Sequence, residues 1–261
     1  MRALQIAASG MYAQELNVQV ISNNIANMRT TGFKRQRADF QDLLYQNLRR
    51  MGATTSEAGT LVPAGVQIGS GVKTAATPRI MTQGVIQSTE KDLDLAVRGE
   101  GFFRIQLPDG RTAYTRDGSF ERDATGTMVT ADGYTVDPAI TIPENARDIS
   151  INATGSVQAV LGNSSTSTVL GQIQLARFVN PVGLEAIGEN LYLETASSGA
   201  AQVGNPGDEG LGTLLQKQVE MANVNPVSEI SDLISAQRAY EMNSRVIKAA
   251  DEMLSATSNL R

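Results

Sequence analysis

The chain has 261 residues and a formal net charge of −5, with 22 Lys and Arg against 27 Asp and Glu. It contains no His, Cys or Trp. That composition excludes a Ser-His-Asp triad, a thiol nucleophile, a His/Cys metal site and a disulfide framework, and the acidic balance argues against general binding of nucleic acid. With aromatic residues at only 5 %, large core anchors are few, so part of the apolar surface is expected to be buried between chains.

The first segment, from Leu4 to about Leu44, carries a helical pattern. The heptad steps 4, 7, 11, 14, 18, 21, 25 and 28 are apolar at all but Gln14, which predicts an amphipathic helix. Thr31-Gly32 breaks it, and Phe33, Phe40, Leu43 and Leu44 predict a second short helical stretch. The run Ser22-Asn23-Asn24-Ile25-Ala26-Asn27 has two readings. It is a fraying helix end, or a set of amides that hydrogen-bond across a crowded helix interface and fix its register. Between Arg29 and Arg50, six basic residues stand against Asp39 and Asp42. This stretch is either a solvated face or a surface that meets the acidic face of another copy.

From Gln46 to Thr77 the texture turns to Gly, Thr, Ser, Ala and Pro. No helical stripe fits, and an extended loop or a single hairpin is expected; such long connectors are usually functional. From Ile80 to about Gly212 the chain reads as short antiparallel strands. Asp109-Gly110, Asp117-Gly118 and Asp132-Gly133 punctuate runs such as Phe102–Leu107 and Thr112–Thr115, as in a sandwich or small barrel. The stretch Gly162 to Thr168 reads as a loop. The last segment begins near Leu214, with Asn225 as N-cap and Pro226 at the first helical position. Two apolar stripes run along this helix. One is Val227, Ile230, Ile234, Tyr240, Ile247, Ala250 and Leu254; the other is Met242, Val246, Ala249, Met253, Ala256 and Leu260. Together they are wider than a two-stranded seam requires.

The expected fold class is therefore α+β, with N- and C-terminal helices pairing as a coiled-coil-like domain and a central all-β domain of antiparallel strands. The expected divisions are 1–45 with 214–261, a connector at 46–77, and the β domain at 78–213. No window reaches the length of a membrane span, and the first residues, with Gln5 interrupting a short apolar run, lack the pattern of a cleavable export signal.

Candidate chemistry is thin. Glu90, Asp92 and Asp94 could pair as acid and base, but acidic residues around a turn are far more often solvated. Asp92-Leu93-Asp94 suits a strand with one wet face. Gly99-Glu100-Gly101 lacks the helix that a phosphate loop needs, and reads as a bend entering the strand at Phe102. No catalytic residue, cofactor or metal site is expected.

Other residues carry a resemblance. Ala8-Ser9-Gly10-Met11, Ser22–Asn27 and Thr31-Gly32-Phe33-Lys34 resemble the N-terminal signature of flagellar rod and hook proteins. Glu220, Asn223-Val224, Gln237-Arg238, Tyr240-Glu241 and Asn243 resemble the paired C-terminal signature, and Leu95–Phe103 the entry to the family's β domain. Ala222 and Asn225 depart from the usual Ser and Asp. The length and the stretch from Gln46 to Thr74 are most similar to the members that build the distal rod.

The resemblance implies a structural subunit, exported unfolded, that polymerises helically into a rigid shaft spanning the periplasm and transmitting torque to the hook. Its implied partners are itself, proximal rod and hook subunits, and the surrounding P- and L-ring proteins, without nucleic acid or membrane insertion. Inter-subunit packing is expected at Leu4, Met11, Val18, Ile21, Asn23, Asn24, Ile25 and Asn27 on the first helix. On the second it is expected at Ile230, Ile234, Gln237, Arg238, Tyr240, Asn243, Ile247 and Leu254. The terminal helices are expected to be poorly ordered in an isolated copy. The alternatives are a proximal rod or hook subunit and a secreted oligomeric binding module.

Overall fold

The structure, a computed structural model, describes residues 2–49, 51, 64–162 and 166–259. The chain is α+β and divides into two compact units: residues 1–25, 36–78 and 225–261 form one, and residues 26–35 and 79–224 the other.

In the first unit, helix α1 spans Arg2–Ala26 and helix α2 spans Pro226–Asn259. The start of α2 follows from its cap: the backbone N–H of Val227 donates to Asn225 Oδ1 at 3.0 Å, and Pro226 has no N–H to leave orphaned. The helices run antiparallel. Asn24 meets Glu229 at one point of the seam and Gly10 faces Asn243 at another, two heptads apart on each helix (10 to 24, and 229 to 243).

The rest of this unit is a two-stranded ribbon. Asp39–Asp42 pairs antiparallel with Val72–Ala76, and Tyr45–Arg49 with Val66–Gly69. The second helical stretch expected over 33–44 is therefore absent. Phe40 lies in a strand opposite Thr74, because the partner segment, rich in β-branched residues, supplies the ladder that a lone apolar cluster cannot. Residues 50 and 52–63, within the expected connector, lie outside the described residues, as do 163–165 of the expected loop and Leu260 of the second α2 stripe. The ribbon docks on α1 through Ser9, whose Oγ accepts from the N–H of Val72 at 3.3 Å and donates to Ile6 O at 2.7 Å. Gly71 makes that approach possible: its φ is +114°, and a Cβ there would sit 2.3 Å from Ser9 Oγ.

In the second unit, the strand Phe102–Gln106 is central. It pairs with Thr112–Thr115, Thr135–Val136 and Leu175–Arg177, all antiparallel. The alternation of the strand separates two cores. Phe103 and Ile105 enter the main one with Leu95, Phe120, Met128, Ile140 and Ile173. Phe102 joins Tyr114, Phe178, Leu184 and Tyr192 on the other side. Edge-to-face ring contacts, Phe103–Phe120 at 5.1 Å and Tyr114–Phe178 at 4.8 Å, make these sites directional as well as apolar. Each fully buried ring contributes roughly 2–3 kcal/mol of transfer free energy.

A three-stranded sheet (Ala146–Ile151, Ser156–Leu161, Ser167–Gln172) and two long-range pairs complete the unit. Those pairs are Leu95–Arg98 with Thr213–Gln216 and Ile86–Ser88 with Gln218–Glu220. Asp92-Leu93-Asp94, expected as a strand, is instead a turn at Asp92-Leu93 followed by an isolated bridge from Asp94 to Ser119.

One hairpin device occurs twice. In Asp123-Ala-Thr-Gly-Thr127, Asp123 Oδ1 accepts from the N–H groups of Thr125 (2.8 Å) and Thr127 (2.9 Å). In Asn152-Ala-Thr-Gly-Ser156, Asn152 Oδ1 accepts from Thr154 (3.2 Å) and Ser156 (2.8 Å). The glycines share φ near +85°, and their carbonyls accept from Ile142 and Ile173 in turn. This turn needs only a side-chain oxygen two and four residues before its donors, so Asp and Asn serve alike.

Candidate assembly surface

The side of α2 turned to α1 carries Glu229, Leu233, Ala236, Asn243, Ile247, Ala250 and Leu254, all buried or half-buried. Across the seam, Ala7, Ile21 and Asn24 are buried. Small residues keep the helices close: a Cβ added at Gly10 would lie 2.9 Å from Asn243 Nδ2. At the far end Asn24 does three jobs. Its Nδ2 donates to Gln36 O (2.8 Å) and to Glu229 Oε2 (3.1 Å), while its Oδ1 accepts from the N–H of Gln36 (2.9 Å).

The opposite side of α2 also carries apolar side chains, set among charged ones, and they are open. Val227 is 75 % exposed, and Ile230, Ile234, Met242, Val246 and Met253 are exposed with it. At 100° per residue these positions lie on the half of the helix that faces away from Glu229 and Ala236, with Arg238, Glu241 and Arg245 interspersed. The ribbon repeats the pattern, with Leu44 at 86 % exposure and Tyr45, Leu48, Met51, Val66 and Ile68 also exposed. An isolated two-stranded ribbon is marginal in water, and apolar patches of this extent mark contact surfaces.

The expected packing residues thus fall into two groups. Ile21 and Asn24 are buried within the copy, and Leu4, Met11, Val18, Ile25, Asn27, Asn243, Ile247 and Leu254 are half-buried. Asn23, Ile230, Ile234, Gln237, Arg238 and Tyr240 are exposed. Asn27 belongs to the second unit and receives the N–H of Thr30 at its carbonyl, 3.1 Å away, closing the turn after α1.

The remaining signature residues build a buried clamp in the second unit. Lys34 and Glu220, each 1 % exposed, form an ion pair. Lys34 Nζ also donates to Thr82 O at 2.9 Å, and Glu220 Oε1 accepts from the N–H of Gly84 at 2.8 Å. Arg116 Nη1 reaches Glu220 Oε2 at 3.4 Å. Asn223 closes the circle: its Oδ1 accepts from the N–H of Arg35 (2.8 Å), and its Nδ2 donates to Ile80 O (2.8 Å). Burial pushes the Lys34 ammonium below the ordinary lysine range, and Glu220 only partly offsets this. A buried pair of this kind specifies geometry more than it adds stability. Arg116 and Glu229 were not among the expected site residues. A charged residue inside an apolar helical face, as at Glu229, was the available signal.

Asp92 Oδ1 pairs with Lys217 Nζ at 2.8 Å, and Asp94 is buried where the chain bridges Ser119. Among the described residues no group of three or more His, Cys, Asp or Glu could hold a metal, and no helix is long and apolar enough to cross a membrane.

Comparison with known proteins matches three family models. Residues 4–34 match the flagella basal body rod protein family, residues 96–159 the D1 domain of the flagellar hook protein FlgE/F/G family, and residues 215–260 the C-terminal domain of the flagellar basal body rod FlgEFG proteins. The chain is similar over its whole length to curated relatives. It is 59 % identical to the flagellar basal-body rod protein FlgG of Caulobacter vibrioides over 261 residues, covering all of both chains. It is 51 % identical to FlgG of Agrobacterium fabrum, over 99 % of this chain and 98 % of the relative. With FlgG of Bacillus subtilis the identity is 41 %, over all of this chain and 99 % of the relative.

Proposed function

Because the chain belongs to the FlgG family of flagellar basal-body rod proteins and is a structural subunit of the rod, we propose that it polymerises through the outer stripe of α2 and the apolar ribbon. The observation that carries this reading is the set of exposed apolar side chains on the outer side of α2, which α1 leaves uncovered. A contact between that face and a different patch on the next copy is heterologous. Repeated without closure it generates a helical filament rather than a ring. The work of the molecule is then mechanical: it transmits torque along a shaft, with no catalytic step.

We further assign residues 46–74, whose described part includes strands of the ribbon, to bracing adjacent copies and stiffening the shaft. The proximal rod, the hook, and the P- and L-ring proteins are its proposed neighbours in the periplasm. The stripe also supports a second part of the proposal, that α1 and α2 gain order on assembly. Hydrogen exchange tests both. Amides of α1 and α2 are expected to exchange fast in the dilute chain and slowly in the polymer. Slow exchange at both termini in a dilute monomer contradicts the assembly-coupled ordering.

A further inference from the structure

A cavity of about 440 Å³ opens in the second unit beside Phe102, Phe178, Met81 and Pro181, with Arg116 and Arg177 among its lining residues. Its apolar wall is the second core cluster, left uncovered on this side. Arg116 is 5 % exposed and lies over the ring of Phe102, 5.2 Å from the centroid. Its Nη2 donates to Gly99 O at 2.8 Å, and its Nη1 is shared between Val97 O and Glu220 at 3.4 Å. The Nε is buried and has no partner among the described residues.

The charges here do not balance. Arg116 and Arg177 line this wall, and Arg79 lies 5.7 Å from the ring centroid of Tyr192 in the same cluster. Among the lining residues Arg116 and Arg177 face one carboxylate, Glu100. The carboxylate of Glu100 is largely in solvent, 3.9 Å from Arg177 Nε.

We propose that this cavity is a binding site for a carboxylate carried on an apolar stem, filled in the polymer by an acidic side chain of a neighbouring copy. A guanidinium with a buried, unspent donor is matched by a planar carboxylate, which accepts in the plane of the fork. The ring of Phe102 and the side chains of Phe178 and Met81 take the stem. The neighbouring copy fits as the source because this face is cationic while the chain as a whole carries −5. That choice of occupant rests on the polymer reading above; the cavity's chemistry does not.

The probe is 3-phenylpropionate added to the dilute full-length chain, with 3-phenylpropionamide as its neutral counterpart. Saturable NMR shifts are expected at the Met81 methyl and the Phe102 and Phe178 rings, with the acid binding at least tenfold tighter than the amide. Met81→Trp, which fills the cavity, abolishes the shifts. Arg177→Glu, a change at the rim that spares the core, weakens them at least threefold. Equal binding of acid and amide, or no saturable shift, overturns the site.

In assembly, Met81→Trp and excess 3-phenylpropionate are each expected to raise the concentration at which polymer forms at least tenfold. Saturable binding without any effect on assembly overturns the neighbouring copy as occupant. If the unaltered chain forms no polymer, the functional reading above fails, while the titration of the dilute chain still decides the cavity.

Discussion

Asn24 and Glu229, 205 positions apart in the chain, meet inside the first unit with Asn24 Nδ2 3.1 Å from Glu229 Oε2. Each is 1 % exposed. The amide is the only side chain of that size that can donate to Glu229 and Gln36 and still accept from the Gln36 N–H. Asn24→Asp keeps the shape and replaces the donor with a second carboxylate. Two buried carboxylates in contact cannot both ionise cheaply. The variant is expected to lose about 3 kcal/mol at pH 7, an order of a hundredfold in the concentration needed for polymer. At acidic pH, where the pair shares a proton, much of the loss is recovered. Sedimentation at the two pH values reads the difference, and an equal defect at both contradicts the pairing.

Lys34→Met leaves Glu220 with Arg116 at 3.4 Å as its remaining cation. Removing one partner of a buried pair costs about 3–5 kcal/mol, whereas replacing both by apolar groups can be neutral. We therefore expect Lys34→Met and Glu220→Gln each to lower the stability of the β unit by several kcal/mol, and the double variant by much less than the sum. Urea unfolding of the three variants provides the cycle. Additive losses would show that the two side chains are not coupled.

The twin hairpins predict a local pH response. The Asp123 carboxylate is held below its ordinary range, first by the Thr125 hydroxyl and then by the Thr127 N–H. A carboxyl depressed in the folded state contributes stability above its unfolded value of about 4, and loses it as pH falls through the lower folded value. The 123–127 loop is thus expected to loosen in acid below about pH 4, while the loop at Asn152, which has no proton to gain, does not. Amide exchange at Thr127 and Ser156 from pH 5 to pH 2.5 compares them directly. Parallel behaviour contradicts the assignment.

Much of this architecture is legible in the sequence, and the boundaries of that legibility are physical. The α1 heptads and the Asn225-Pro226 cap announce both helices, because each rests on contacts within a few residues. Two apolar stripes on α2 are visible too, but the first of them divides: Ile247, Ala250 and Leu254 lie on the side turned to α1, while Val227, Ile230, Ile234 and Tyr240 are exposed. The seam runs through Glu229 and Asn243, residues that a search for apolar positions passes over. Pro108-Asp109-Gly110 marks a real hairpin, with the N–H of Gly110 donating to Leu107 O at 3.0 Å. Asp117-Gly118 has the same letters but a different cause: a Cβ at Gly118 would collide with Leu95 O at 1.7 Å. The pairing of Leu95–Arg98 with Thr213–Gln216 has no local signature, since its partners lie more than a hundred residues apart. The Lys34–Glu220 clamp is the same kind of case. Its residues are recognisable by resemblance, but their meeting is a property of the fold.

The ribbon gives a mechanical prediction. Removing residues 46–74 takes away the exposed side chains of Leu48, Val66 and Ile68 and leaves the helix seam intact. The variant is expected to be exported and to assemble, and to give a shaft that bends like a hook. Persistence length measured from electron micrographs is the readout, and an equally stiff shaft contradicts the bracing role.

The central claim is that the outer face of α2 joins one copy to the next without closing. Electron microscopy of the purified chain at rising concentration tests it most directly, alongside Ile234→Asp and Val246→Asp, which place charge in the stripe without touching the seam. The account predicts helical filaments of growing length for the unaltered chain and none for either variant at the same concentration. Closed rings of fixed size, or filaments that form equally well with both aspartates in place, would contradict it.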